Sequence, residues 1–486
     1  MPNWTDSQLD AINSTEGSVL VSAAAGSGKT AVLVERVKRL ITREENPVDA
    51  DRLLVVTFTR DAASEMKQRI SRKISKLIKD DPYNPALINQ KKRFANAHIS
   101  TIDSFCGDIV REYFHALGIS SDYRIGDKGE LDVLSKKALD LTFEKFYNSD
   151  TNGFTDLLNA FSSAKKSDAP LRKTVLKICE FLSTQPFPGV WLDNMLNSYA
   201  ERCFSKSLWG RIIISSISDN VNRLVSLMDS AERSLENEPE LSEKFLDAVR
   251  EDKSWLKKLL TVIANDNWDE MTAFLKGFSP QKNIRAPKGF TNHPVKLSVA
   301  QKRDTVKREI EKLVNNYNYT EAQADEELAE MRLLFAVLFD IVREYLAVYS
   351  KLKNDKNILS FSDVEQLAVK LLAEYNGENG FVKTAAANEI SKRFDAVIVD
   401  EYQDVNEVQE LIFTSVSNGN NLFTVGDVKQ SIYSFRQARP QIFIDRKDNC
   451  IRYDRENPEY PAVIILDKNL EAALRYATQL ILFFQS

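Results

Sequence analysis

Two stretches of this chain carry side chains whose types and spacing can do chemistry. The first is Val21-Ser-Ala-Ala-Ala-Gly-Ser-Gly-Lys-Thr30, between the apolar run Val19-Leu-Val21 and the helix-like Ala31-Val-Leu-Val-Glu-Arg-Val-Lys-Arg-Leu40. Glycines at 26 and 28 let the backbone from Ala23, Ala24 and Ala25 through Ser27 curl so that successive amides face inward. With the helix N-terminus, those amides form an anion cradle. Lys29 can reach the β and γ phosphates of a nucleotide, and Thr30 can offer its hydroxyl to Mg²⁺. The usual pattern begins with Gly, and here that position is Ala23. The second stretch is Asp400-Glu401, two adjacent carboxylates directly after Val397-Ile-Val399. Asp400 is suited to hold Mg²⁺, and Glu401 to serve as base for an attacking water. Gln430 follows another apolar run, where an amide can touch the γ-phosphate.

These residues need elements to hold them. Val19-Leu-Val21, Asp51 to Thr59, His98 to Ile102, Phe394 to Val399 and Asn421 to Val425 read as five buried strands, each ending in polar residues. That pattern predicts an α/β fold with a doubly wound parallel sheet and its ligands at the carboxyl edge. Residues 107–390 carry helical periodicity and almost no strand pattern, so they read as an α-helical insertion. The expected division is 1–106 and 391–466 for the sheet domain, 107–390 for the insertion and 467–486 for a divergent tail. Thr320-Glu-Ala-Gln323 is a capping box opening a helix that reaches about Ser350, and Ser360 caps another. Thr5 and Gln8 have the same box spacing, yet the Gln8 amide could equally pair with an adenine edge. Both roles stay open. The segment Lys276 to Arg308 is basic, with Phe278 and Phe290 interleaved; it reads as a solvated loop or as a nucleic-acid contact.

Bulk properties narrow the class. A chain of 486 residues can hold two to four domains, and 43% hydrophobic with 28% charged residues is ordinary for a globular protein. The net charge of −5 excludes a general polycation, so any nucleic-acid binding must use a local basic surface. Cys106, Cys179, Cys203 and Cys450 show no pair spacing, which argues against a disulfide framework or a cysteine-ligated zinc and fits a cytoplasmic setting. The start, Met-Pro-Asn-Trp-Thr-Asp, lacks a signal-peptide pattern. The longest strongly apolar run, Leu333 to Phe339, falls far short of the ~20 residues of a spanning helix, so no membrane role is expected.

Five motifs stand in a telling order. They are Ala23 to Thr30, Thr57-Phe-Thr-Arg-Asp-Ala-Ala-Ser-Glu-Met66, Ser100-Thr-Ile-Asp-Ser-Phe-Cys106, Val399-Asp-Glu-Tyr-Gln-Asp404 and Val425-Gly-Asp-Val-Lys-Gln-Ser-Ile-Tyr-Ser-Phe-Arg436. Their order resembles that of superfamily 1A DNA helicases, and is most similar to the AddA-type helicase–nuclease subunits related to RecB. Alanine at position 23 is usual there. The resemblance implies a RecA-like P-loop domain (1A) with a helical domain 1B, and ATP and Mg²⁺ as cofactors. The partners it implies are DNA (single strands and duplex ends) and an AddB-like subunit. It implies a role in double-strand-break repair by recombination. Carried onto this sequence, Gln8 reads adenine, and Ala23 to Thr30 hold phosphate and metal. Asp400 and Glu401 bind metal and activate water, and Gln430 couples the γ-phosphate to DNA. Phe58, Thr59, Phe435 and Arg436 fall in motifs that contact single-stranded DNA. For the two phenylalanines, stacking on a base and packing in the core both remain open. Asp103 departs from the usual histidine, so no DNA contact is assigned there.

The resemblance runs to about residue 445 and dissolves at Leu470. Where the family has Asn-Phe-Arg-Ser, this chain reads Asn469-Leu-Glu-Ala, and its last seventeen residues match nothing in the family. The expectation is a first motor half without the second motor domain or the nuclease domain, with a tail altered by a frame change or a cut. Arginines from a second domain can be worth ~10³–10⁵ in rate, so such a half would bind ATP weakly, hydrolyse it slowly and not translocate. It would also expose an apolar face. The rival readings are a UvrD- or PcrA-type helicase fragment and a non-motor ATP- or DNA-binding remnant.

Overall fold

The computed structural model describes residues 4–149, 153–161, 167–280, 284–377, 380–431 and 438–466. These fall into two compact units, one of residues 1–145, 172–188 and 344–486 and the other of 146–171 and 189–343.

The first unit is built on a sheet of seven parallel strands. In chain order they are β1 (Val19–Ala23), β2 (Leu53–Thr57), β3 (His98–Thr101), β4 (Ala396–Val399), β5 (Leu422–Gly426), β6 (Ile451–Arg452) and β7 (Ala462–Leu466). Across the sheet the order is β6-β7-β1-β5-β4-β2-β3. The five expected strands are all present, joined by two more on the β1 side.

Side chains alternate between the two faces of a strand. Val19, Val21, Leu53, Val55, Ile398, Phe423 and Ile464 therefore share one core with the helices α1 (Asp6–Asn13), α2 (Lys29–Thr42) and α3 (Arg60–Asp80). Leu20, Leu54, Val56, Val397, Val399, Leu422 and Val463 share the other. That second core takes in α4 (Ile102–Glu112), α5 (Phe361–Leu372) and α6 (Glu407–Val416), and Phe443 of α7 (Pro440–Asp448). A parallel sheet buried on both faces is the doubly wound arrangement the apolar runs predict.

The local signals act as expected. Thr5 and Ser360 both form complete capping boxes, with Gln8 and Asp363 as the third residues. Gln323 and Thr320 exchange the same pair of bonds at 2.9 and 3.3 Å ahead of the helix Glu321–Asn354.

The segment 107–390 divides between the two units. Its ends pack with the sheet, because α4 and α5 present Ile109, Val110, Val364, Ala368 and Leu372 to the second core. The other unit is helical, with long helices at Leu208–Glu236, Pro239–Ile263 and Pro294–Asn316 around a buried Trp268. Phe278 and Phe290 pack against this helical core, and Phe278 lies 4.6 Å from Trp255. Of the basic residues in that segment, Arg303 is held by Asp252 at 2.6 Å and Lys302 by Ser230 at 2.9 Å. Lys276, Arg285, Lys288, Lys307 and Arg308 are exposed. Both aromatics of this segment thus make packing contacts while half-buried, and most of its charges face solvent.

Candidate nucleotide site

The carboxyl edge of the sheet carries the site. β1 runs into the turn at Ala24, where the Ser27 amide donates to the Ala24 carbonyl at 3.1 Å. Gly26 and Gly28 take φ of 72° and 83°, the left-handed region that side-chain-bearing residues avoid. This curl sets Lys29 at the first position of α2. The Ser27 hydroxyl is buried with no hydrogen-bond partner among the described residues.

Gln8 sits against this loop. Its Oε1 accepts from the Thr5 amide at 2.9 Å, and its Nε2 donates to the Ser27 carbonyl at 2.9 Å. The capping role is therefore present, and the same amide also braces the P-loop. Each end of an amide can make a second bond, so one contact per atom leaves capacity for a base edge.

Lys29 is the centre of the site. Its Nζ lies 3.1 Å from Glu401 Oε2 and 2.9 Å from Gln430 Oε1. Lys29 comes from the β1 loop, Glu401 from the end of β4 and Gln430 from the turn after β5. The sheet order puts β5 between β1 and β4, so the three side chains converge.

Asp400 is anchored by its own amide on the Val56 carbonyl of β2 at 2.9 Å. Its Oδ1 accepts from the Glu401 amide at 3.0 Å, and Oδ2 carries no hydrogen bond from the described residues. Burial, with the charge of Glu401 beside it, pushes this carboxyl up to about 6. A half-buried carboxylate with an oxygen left over, at the same sheet edge as a P-loop hydroxyl, is a donor set that suits a hard divalent cation. Glu401 itself has φ of 51°, a strained value for a residue with a Cβ. The turn that follows it, Tyr402–Asp404, is buried.

That turn supplies residues to which sequence reasoning assigned no role. Gln403 is 1% exposed. Its Nε2 donates to Glu401 Oε2 at 2.9 Å and to Asp404 Oδ2 at 3.1 Å, while its Oε1 accepts from the Asp427 amide at 2.8 Å. Asp404 also accepts from the Ser431 hydroxyl at 3.3 Å. One amide thus ties the end of β4 to the end of β5. Gly426 makes room for it: a Cβ there would lie 2.5 Å from Gln403 Oε1 and 3.0 Å from its backbone nitrogen. The available signal was a pair of polar residues, Gln403 and Asp404, four and five positions after the end of a buried strand. On the far side, Tyr402 bonds to Glu410 and accepts from Arg446 at 2.9 Å, which fastens the turn to α6 and α7.

Phe58 is half-buried at the end of β2. The Thr59 hydroxyl accepts from the Ala62 amide at 3.1 Å and so caps α3, although the residue is exposed. Phe435 and Arg436 lie outside the described residues. No helix among the described residues is long and apolar enough to cross a membrane.

Residues 4–451 match the family described as the UvrD/REP helicase N-terminal domain. The chain belongs to this family. UvrD/REP helicases use ATP with a metal ion, which agrees with a P-loop lysine set against paired carboxylates. The chain is also 38% identical over 464 residues to an ATP-dependent helicase/nuclease subunit of Clostridium beijerinckii, covering 93% of this chain and 37% of that protein. Proteins of the same description in Acetivibrio thermocellus and Clostridioides difficile are 35% and 33% identical, over 96% and 97% of this chain. The chain spans 37% to 38% of the length of these curated relatives.

Proposed function

We propose that this chain is the ATP-binding motor portion of an AddA-type, ATP-dependent DNA helicase–nuclease that acts in the cytoplasm on DNA single strands and duplex ends, beside an AddB-like subunit, in double-strand-break repair. The observation that carries the reading is the convergence of Lys29, Glu401 and Gln430 from three separate strand ends.

In this reading the ATP phosphates lie in the cradle from Ala23 to Thr30, with adenine against Gln8. Lys29 exchanges Glu401 for the γ-phosphate, and the released Glu401 takes a proton from the attacking water. Thr30 and Asp400 would hold Mg²⁺, which would supply neutralisation of phosphate charge. Gln430 loses Lys29 as a partner when phosphate arrives, which couples its turn to the nucleotide, and Phe435 and Arg436 of the same motif are proposed contacts to single-stranded DNA. Phe58 and Thr59 at the end of β2 are the other proposed contacts to single-stranded DNA. The family match and the description of its relatives support DNA as the substrate.

The test is equilibrium binding of a fluorescent ATP analogue with Mg²⁺, and ATP hydrolysis with and without single-stranded DNA, for this chain and for Lys29→Ala. Nucleotide binding abolished by Lys29→Ala, with hydrolysis that DNA raises but that stays slow for want of the second-domain arginines, is the expected result. Equal nucleotide affinity in the two proteins would overturn the assignment of the site. Lys29-dependent nucleotide binding, with neither DNA binding nor DNA stimulation of hydrolysis, would favour an ATP-binding remnant over a motor.

A further inference from the structure

At the opposite, amino edge of the sheet, beside the starts of β4 and β5, lies a cavity of about 330 Å³. Arg36 of α2 and Arg43, the residue that caps the end of that helix and donates from Nε to the Asn46 carbonyl at 2.6 Å, line it with Thr15, Asn46, Phe423 and Asp395. The two arginines are seven positions apart, two helical turns, and so share one face. At the rise of an α-helix their Cα atoms stand roughly 10 Å apart. Two arginine side chains can close that span onto one ion.

Arg36 is 4% exposed. Its Nη1 donates to the Ala11 carbonyl at 2.8 Å and to the Ser14 hydroxyl at 3.1 Å, and its guanidinium lies 3.7 Å over the ring of Phe423. All of these partners are neutral, and Nε is buried with no partner among the described residues. The ionisable groups that act on it are Tyr460, Tyr453 and Arg43, with no carboxylate among them. Asp395 on the cavity wall is held by Arg52, which donates from Nε and from Nη2 at 2.6 Å each. Burial therefore pulls the Arg36 guanidinium down to about 9, with Arg43 adding to the effect. Capping the end of α1 accounts for Nη1 alone. A buried cation with an orphan donor, next to a second cation and a cavity, is an incomplete electrostatic arrangement.

We propose that this cavity binds a small phosphate-class oxyanion between the guanidinium groups of Arg36 and Arg43, with Thr15 and Asn46 as further donors. Two planar forks offer more N–H donors than one carboxylate can accept, which favours a tetrahedral oxyanion. The site lies roughly one strand length, ~16 Å, from the P-loop and does not depend on the nucleotide reading.

The test is thermal unfolding of the full chain carrying Lys29→Ala, which empties the P-loop of phosphate, titrated with inorganic phosphate. Sodium chloride at matched ionic strength and sodium acetate are the parallel arms. Arg36→Met would also cut the tie to α1, so Arg43→Gln is the informative variant. The expected result is a Tm that climbs with the logarithm of phosphate concentration beyond the chloride control, and a rise at least halved by Arg43→Gln. The same rise in both proteins would mean an adventitious ion only and would overturn the proposal, as would no rise beyond chloride. An acetate rise equal to that of phosphate would overturn the oxyanion class.

Discussion

Replacing Gln403 by methionine keeps the side-chain volume close to the original and removes both ends of the amide. Three bonds go: to Glu401 at 2.9 Å, to Asp404 at 3.1 Å and from the Asp427 amide at 2.8 Å. The Asp427 amide is then a buried donor without an acceptor, a loss of about 1–3 kcal/mol. The two carboxylates lose less than a fully buried pair would. Glu401 is 38% exposed at its side chain and keeps Lys29, and Asp404 keeps Ser431. Together the loss should come to about 3 kcal/mol, roughly a hundredfold in the folding equilibrium. Urea unfolding measures it as a lower midpoint at unchanged slope. Gln403→Glu, which sets a buried carboxylate beside those of Glu401 and Asp404, should lose more. A Gln403→Met protein within about 1 kcal/mol of the parent would refute the idea that this amide fastens β4 to β5.

The remaining expectations concern charge, backbone and the P-loop lysine. Glu365 is held up to about 7 by burial, with Asp103 adding to the effect against a 2.8 Å bond from Gln409. A carboxyl raised on folding binds more protons folded than unfolded, so stability should fall as pH rises from about 4.5 to about 7. Glu365→Gln keeps an acceptor for Gln409, and should flatten that fall and be more stable than the parent at pH 8 by roughly 2–4 kcal/mol; a parallel pH profile for the two proteins would refute this. Gly28→Ala forces a Cβ onto φ of 83° and to 3.3 Å from Gln8 Nε2, so it should lose about 1–2 kcal/mol in urea unfolding and weaken nucleotide binding. Lys29→Met removes the only cation bonded to Glu401 among the described residues and should abolish nucleotide binding in the fluorescence assay.

What the sequence determined by itself was local. Strands β1 to β5 could be read because continuous apolar runs bounded by polar residues have one economical use, a strand buried on both faces. The capping boxes at Thr5, Thr320 and Ser360 were legible because the bonds they make span three residues. The P-loop was legible because its glycines, lysine and hydroxyl are consecutive. Tertiary structure decided everything that depends on strand order. Lys29 meets Glu401 across 372 positions and Gln430 across 401, and no periodicity measures such a separation. The double duty of Gln8, the brace at Gln403 and the fit of Gly426 against it come from the same convergence of strand ends. Phe278 and Phe290 carry the pattern of a nucleic-acid contact in sequence, and the fold adds that both pack, half-buried, against the helical core. The division of 107–390 also required the fold, since only packing shows that α4 and α5 bury their apolar faces on the sheet. Hydrogen-bonded turns and caps act over a few residues and are written in order along the chain, whereas burial is satisfied by whichever distant surfaces the completed sheet brings together.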